Sequence, residues 1–259
     1  MQNLTKCNMI SFLTIINKEI TRILRIWPQT ILPPIITITL YFFIFGSLIG
    51  KKIGNISGYT YIQYITPGLI MMTIITNSYS NVVASFFGSK FQKNIEELLI
   101  SPTYNSIIIL GFIFGGIFRS FIIVIFILII TSFFSNIYFY NILLFSITCL
   151  FTSLTFSLIG LINGICAKKF DDISILPTFI LTPLIYLGGI FYSIDILPQN
   201  LQFLVILNPI FYIVNIFRYS IINISEINIF YSFSYMLIFV IFFYCITFYM
   251  LKIGYEIKK

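Results

Sequence analysis

Six apolar stretches of about twenty residues or more divide this chain, and almost no charge falls inside them. They run approximately over 27–49, 61–87, 107–134, 142–166, 173–192 and 230–251. A helix needs roughly 20 residues to cross a hydrocarbon core about 30 Å thick. Unpaired backbone cannot face lipid, and the ten-residue alternation of a barrel strand is missing, so the stretches are expected to be helices. Charged residues make up 9% of the chain and hydrophobic ones 59%, against about 25% and 45–50% in soluble domains. That balance excludes a soluble enzyme, a nucleic-acid-binding domain and a disordered chain. The expected fold is an all-α polytopic membrane protein, with a single transmembrane domain over 1–259.

Lys and Arg set the orientation. Of the 15, eleven fall on one side of a six-span arrangement, Lys51, Lys52 and Arg218 on the other, and Arg119 inside the third span. The positive-inside rule places the richer side, with both termini, in the cytoplasm. The stretch 201–222 is apolar enough for a seventh span, but Asn208-Pro209 and Arg218 interrupt it. A seventh crossing would also carry Lys252, Lys258 and Lys259 outside. Residues 194–222 are therefore expected to dip into the outer leaflet and return, packed on protein. Asp195 and Arg218 flank this segment. They either fix it together or stand as independent interfacial charges.

Two segments outside the spans have a helical period. In 1–25, Leu13, Ile16, Ile20 and Ile23 share one face while Lys18, Arg22 and Arg25 line another. That pattern predicts an interfacial helix with its basic side towards anionic headgroups, and no secretory signal. Between the second and third spans, Phe91, Ile95, Leu98 and Leu99 recur at i, i+4, i+7 and i+8. Lys93 is spaced to pair with Glu97, and Ser101-Pro102 ends the run. This inside loop is expected to be a short amphipathic helix over 90–99, lying on the membrane or offered to a partner. Gly111-x-x-x-Gly115 and Gly160-x-x-x-Gly164 predict close helix approach. Prolines 33, 34, 67, 177 and 183 predict kinks whose freed carbonyls face other helices or a cavity.

Absent chemistry narrows the function. There is no His, and the four Cys form no C-x-x-C pair. Gly46-Ser-Leu-Ile-Gly50-Lys51-Lys52 has the wrong spacing for a P-loop. No span holds a carboxylate for an ion relay, so any energy should come from another chain. Arg119 lies 12 residues into its span, about 18 Å along a helix. Its available partners are carbonyls freed by prolines, amides such as Asn77 and Asn163, or an anion in a transport path. A structural role is the first expectation.

The helix 90–99 after the Thr66-Pro67-Gly68 span resembles the integral membrane subunit of ABC-2 type transporters. So do Leu197-Pro198, Leu207-Asn208-Pro209-Ile210-Phe211-Tyr212 and Arg218-Tyr219. The resemblance extends through Asn94-Ile-Glu-Glu-Leu-Leu99, Phe170-Asp-Asp-Ile-Ser174 and Tyr186-Leu-Gly-Gly-Ile-Phe-Tyr-Ser193. It implies a six-helix half-transporter of the bacterial inner membrane, working as a homodimer with a separate cytoplasmic ABC ATPase. ATP and Mg would sit on that ATPase, with no cofactor on this chain. Residues 90–99, Lys93 among them, would be the coupling helix, with Phe91, Ile95 and Leu98 as anchors and Glu96 and Glu97 as charged contacts. The segment bearing Asp195, Pro198, Asn208, Pro209, Tyr212 and Arg218 would be the re-entrant outer lid. Two other readings stay open: a membrane-embedded lipid-modifying enzyme, or an assembly subunit that moves nothing.

Overall fold

A computed structural model describes residues 2–56, 58–135 and 138–256; Lys258 and Lys259 lie outside the described residues. The chain opens with α1 (Gln2–Arg25), breaks at Ile26 and continues as α2 (Trp27–Tyr41), which passes into a π-helical stretch, Phe42–Ile49. A short α3 (Gly50–Ile53) and a two-stranded turn of β1 (Asn55–Ile56) and β2 (Tyr59–Thr60) lead into α4 (Tyr61–Phe91). Then come α5 (Asn94–Ile100), α6 (Asn105–Phe134) and α7 (Ile142–Cys166). The fifth span is α8 (Phe170–Leu176), a π-helical turn (Pro177–Leu181) and α9 (Thr182–Leu187). It starts three residues before its sequence estimate and ends five before, because Gly188-Gly189, with φ of 74° at Gly189, stops the helix. The chain finishes with α10 (Gln199–Leu207), α11 (Pro209–Ile222) and α12 (Ile229–Ile253).

Six helices are long and apolar enough to cross a membrane. The chain is a six-span helical membrane protein, and among the described residues there is no sheet beyond the small β1–β2 turn. Helices α10 and α11 meet at 88°, and both ends of the pair lie at one end of the bundle. The Ser220 and Ile221 carbonyls accept from Asn141 N (2.9 Å) and Tyr140 N (3.2 Å) at the turn between α6 and α7. The corner follows from Asn208-Pro209. The Asn208 side chain caps α11 through Ile210 N at 3.0 Å and donates back to the Leu184 carbonyl at 2.6 Å, while the Pro209 ring takes a first-turn place that needs no N–H donor.

Helix α4 is the most deeply buried of the spans and forms the axis of the molecule. At the far end, Ile65, Ile70 and Phe217 belong to one apolar cluster. At the other, Val82, Phe86, Ile95, Ile108 and Leu251 form a second, closed over by Ile15 of α1. Lys18, Lys90, Lys168 and Lys252 gather at this basic end. The α7–α4 contact is close because Gly160 presents no side chain; a Cβ there would meet the Tyr79 carbonyl at 2.7 Å. Gly111 and Gly115 do the same for α1, against Ile15 and Glu19.

The face that helix α1 buries differs from the apolar face expected of it. Met9, Ile10 and Leu13 are exposed, whereas Ile15, Ile16, Glu19 and Ile23 are buried. Glu19 shares the inward stripe, and Arg22 turns into the bundle rather than towards headgroups. The physical reason is that α4 offers polar partners which lipid lacks.

Gly160→Val should lower the thermal midpoint in detergent, because overpacking a close contact costs about 1–3 kcal/mol. Gly88, in the same bundle, has nothing within 4 Å of an added Cβ, so Gly88→Ala should leave the midpoint unchanged or raise it. Equal losses in both variants would contradict this packing.

Candidate functional site

Three clusters carry the polar chemistry. The first is the basic-end surface. Helix α4 runs on to Phe91, and Lys93 then adopts a left-handed conformation (φ 62°) that starts α5 as a separate helix. The single helix over 90–99 is thus corrected to two. Among the described residues no Lys93–Glu97 ion pair forms, because Lys93 has left the helical register. Ile95 is only 1% exposed and packs among Ile15, Phe86 and Ile108, with Leu98 and Leu99 beside it. Those side chains anchor α5 to its own bundle, and the burial of Ile95 corrects the expectation that it meets a partner. What remains outside is Phe91, 63% exposed, crossed edge-on by Phe170 of α8 at 4.9 Å, with Ile100, Glu96 and Glu97 exposed nearby. Phe87 supports Phe170 at 5.0 Å. The start of α8 is held by Asp172, which accepts from Lys168 N and Lys169 N at 2.8 and 2.9 Å.

The second cluster lies within the bundle. On α4, Asn77, Asn81, Ser85 and Ser89 recur every fourth residue, on one helix face. Arg119 donates to Asn77 Oδ1 at 3.0 Å, and Arg22 to Asn81 Oδ1 at 2.9 Å. Ser85 donates to Glu19, and Lys18 to Ser89 Oγ at 3.2 Å. Glu19 and Arg22 also pair directly at 2.8 Å. The second acceptor of Arg119 is the Thr30 carbonyl, at 3.1 Å. That carbonyl is free because residue 34, four along α2, is a proline without an N–H. The same logic holds at Pro177: the Ile173 carbonyl it frees accepts from Asn163 Nδ2 at 3.1 Å and Tyr79 OH at 3.3 Å. Arg119 is level with the fourth residue of α2, so it lies nearer the basic end than its place midway along α6 implies. Helices α4 and α6, at 31 and 30 residues, exceed the roughly 20 that span the core.

The third cluster holds the hairpin. Arg218 is 1% exposed and bonds Glu226 at 2.6 Å and the Gly189 carbonyl at 2.6 Å. Its guanidinium lies 4.1 Å from the centre of the Tyr64 ring, whose hydroxyl also donates to Glu226 at 3.0 Å. Asp195 is therefore not the partner of Arg218; it lies in an exposed turn and accepts only a long bond from Ser193 Oγ, at 3.4 Å. Glu226 wins because the turn after α11 brings its carboxylate back over Arg218, where Asn215 Oδ1 accepts from Glu226 N at 2.8 Å. Tyr212 stacks on Tyr235 of α12 at 4.5 Å, and Pro198 precedes the first turn of α10.

The roles of Glu19, Asn81, Ser85 and Glu226, and the inward turn of Arg22, escaped the sequence reading. A signal existed for Glu19, which falls four residues from both Ile15 and Ile23 and so interrupts an apolar stripe.

The model of the ABC-2 type transporter family matches residues 10–222. The chain belongs to this family. It is 48% identical over 237 residues to the inner membrane transport permease YadH of Escherichia coli (strain K12), covering 92% of this chain and 93% of that one. Nodulation protein J of Rhizobium leguminosarum bv. viciae is 21% identical over 180 residues, covering 69% of this chain and 70% of its own. An ABC-2 family membrane subunit accords with the six spans, and relatives of the inner membrane accord with their composition.

Glu226→Gln removes the carboxylate that neutralises a fully desolvated guanidinium, and breaking such pairs costs about 3–5 kcal/mol. A large fall in the thermal midpoint is expected, with none for Asp195→Asn. Equal effects would overturn the assignment of Glu226 as the partner.

Proposed function

We propose that this chain is the membrane-spanning permease subunit of an ATP-driven exporter, and that it works as a homodimer with a separate cytoplasmic ABC ATPase. ATP and Mg belong to that ATPase, and this chain catalyses no reaction. The basic end faces the cytoplasm of a bacterial inner membrane, with both termini on that side. Membership of the ABC-2 type transporter family supports the ATPase pairing. Export is supported by the hairpin α10–α11, which resembles the outer lid of the family's exporters. A second copy is supported by the α8–α9 span, which its own chain covers less than any other span.

The observation that carries the reading is the exposed aromatic pair Phe91–Phe170 beside Glu96 and Glu97. Phe91 ends α4, Phe170 starts the fifth span, and Ile95 binds α5 to the bundle. A push on this surface therefore reaches two spans directly. An isolated amphipathic loop could not transmit it.

Burying one such phenylalanine is worth about 1.5–3 kcal/mol. Phe91→Asp with Phe170→Asp should weaken copurification with the ATPase by roughly tenfold or more while the thermal midpoint holds. Ile95→Asp should instead lower the midpoint. An intact complex with undiminished transport in the double variant would contradict the proposal.

A further inference from the structure

A cavity of about 610 Å³ opens between α2, α4, α6 and the α8–α9 span, with Arg119 in its wall. Its charge is not balanced. The two acceptors of Arg119, an amide oxygen and a backbone carbonyl, are neutral. Its Nε is buried without a partner among the described residues. The nearby carboxylate of Glu19 is engaged by Arg22 at 2.8 Å, and Arg22 of α1, bonded to Asn81 on the next turn of α4, repels Arg119. Two guanidinium groups thus share a single carboxylate, leaving one net positive charge beside the cavity. Gln29, Thr37 and several Ser and Thr side chains add polar groups to the same wall, and Pro33, Ile38, Val83 and Leu181 supply apolar surface.

A desolvated cation with spare donors attracts an oxyanion, which accepts from the planar guanidinium fork. An apolar wall of this size also accommodates an alkyl chain. We infer that the cavity is a binding site for an anionic amphiphile, with a phosphate-type oxyanion on Arg119 and its chain along the wall formed by Ile38, Val83 and Leu181. The inference rests on the exporter reading, for which it names the substrate class.

Binding of radiolabelled dodecyl phosphate to the full chain in phosphatidylcholine nanodiscs, with empty nanodiscs subtracted, tests it without the ATPase. Saturable binding is expected, weakened roughly tenfold or more by Arg119→Gln, as for loss of a charged hydrogen bond. Thr76→Trp, which fills the cavity from the exposed side of α4 and leaves the charge in place, should weaken it likewise. That variant decides the matter if Arg119→Gln fails to insert. Inorganic phosphate should compete roughly tenfold more weakly than the amphiphile. Undiminished binding in both variants would overturn the site, and equal competition by inorganic phosphate would overturn the amphiphile. Loss of ATPase copurification with binding intact would sink the exporter reading alone, and the reverse would sink only this one.

Discussion

Water is missing from the interior of a bilayer, and α4 replaces it. Charged groups of α1, α6 and α11 bond to this one helix: Lys18, Glu19, Arg22 and Arg119 along the Asn77–Asn81–Ser85–Ser89 stripe, and Arg218 with Glu226 at Tyr64. An arginine at a helix centre costs about 2.5–3.5 kcal/mol on insertion scales, so these groups are retained only where an amide, hydroxyl or ring receives them. The arrangement of the other elements follows. Helix α1 packs on the bundle with Glu19 and Arg22 reaching the stripe, and Gly111 and Gly115 clear the space it needs. The hairpin α10–α11 is held at its far end by the second group.

Proline supplies what the stripe does not. Each proline within a span withdraws one N–H and leaves one carbonyl free. At Thr30 that carbonyl receives Arg119, and at Ile173 it receives Asn163 and Tyr79. Of the two spans that carry π-helical stretches, the first is thereby tied to α6 and the fifth to α4 and α7. These spans also wall the cavity. Their irregular backbone and limited burial make them the parts of the bundle best able to move against a rigid α4.

Much of this was legible in the sequence, and the rest was not, for identifiable reasons. Span number and type came from length and apolarity, because the hydrocarbon core imposes both. The bend between α10 and α11 was readable from Asn208-Pro209, a corner signal whose chemistry is local. The partner of Arg218 was not readable, since Asp195 and Glu226 flank it on either side in the sequence and only the turn after α11 decides between them. Helix α5 misled by its regularity. Phe91 and Ile95 fit one helical face, but a left-handed Lys93 separates them, sending one outward and the other into the core. The inward side of α1 was obscured because its basic residues match a headgroup-facing pattern as well as a buried one.

The claim that α4 stands in for water is tested most directly by a double-mutant cycle on Arg22 and Asn81, read as thermal unfolding in neutral nanodiscs. Asn81→Leu alone should destabilise, because it strands the Arg22 guanidinium beside an apolar side chain. In the Arg22→Leu background the same change should cost far less, giving a coupling of about 1 kcal/mol or more. Effects that add to within about 0.5 kcal/mol would show that the stripe does not solvate the charge, and would contradict the account.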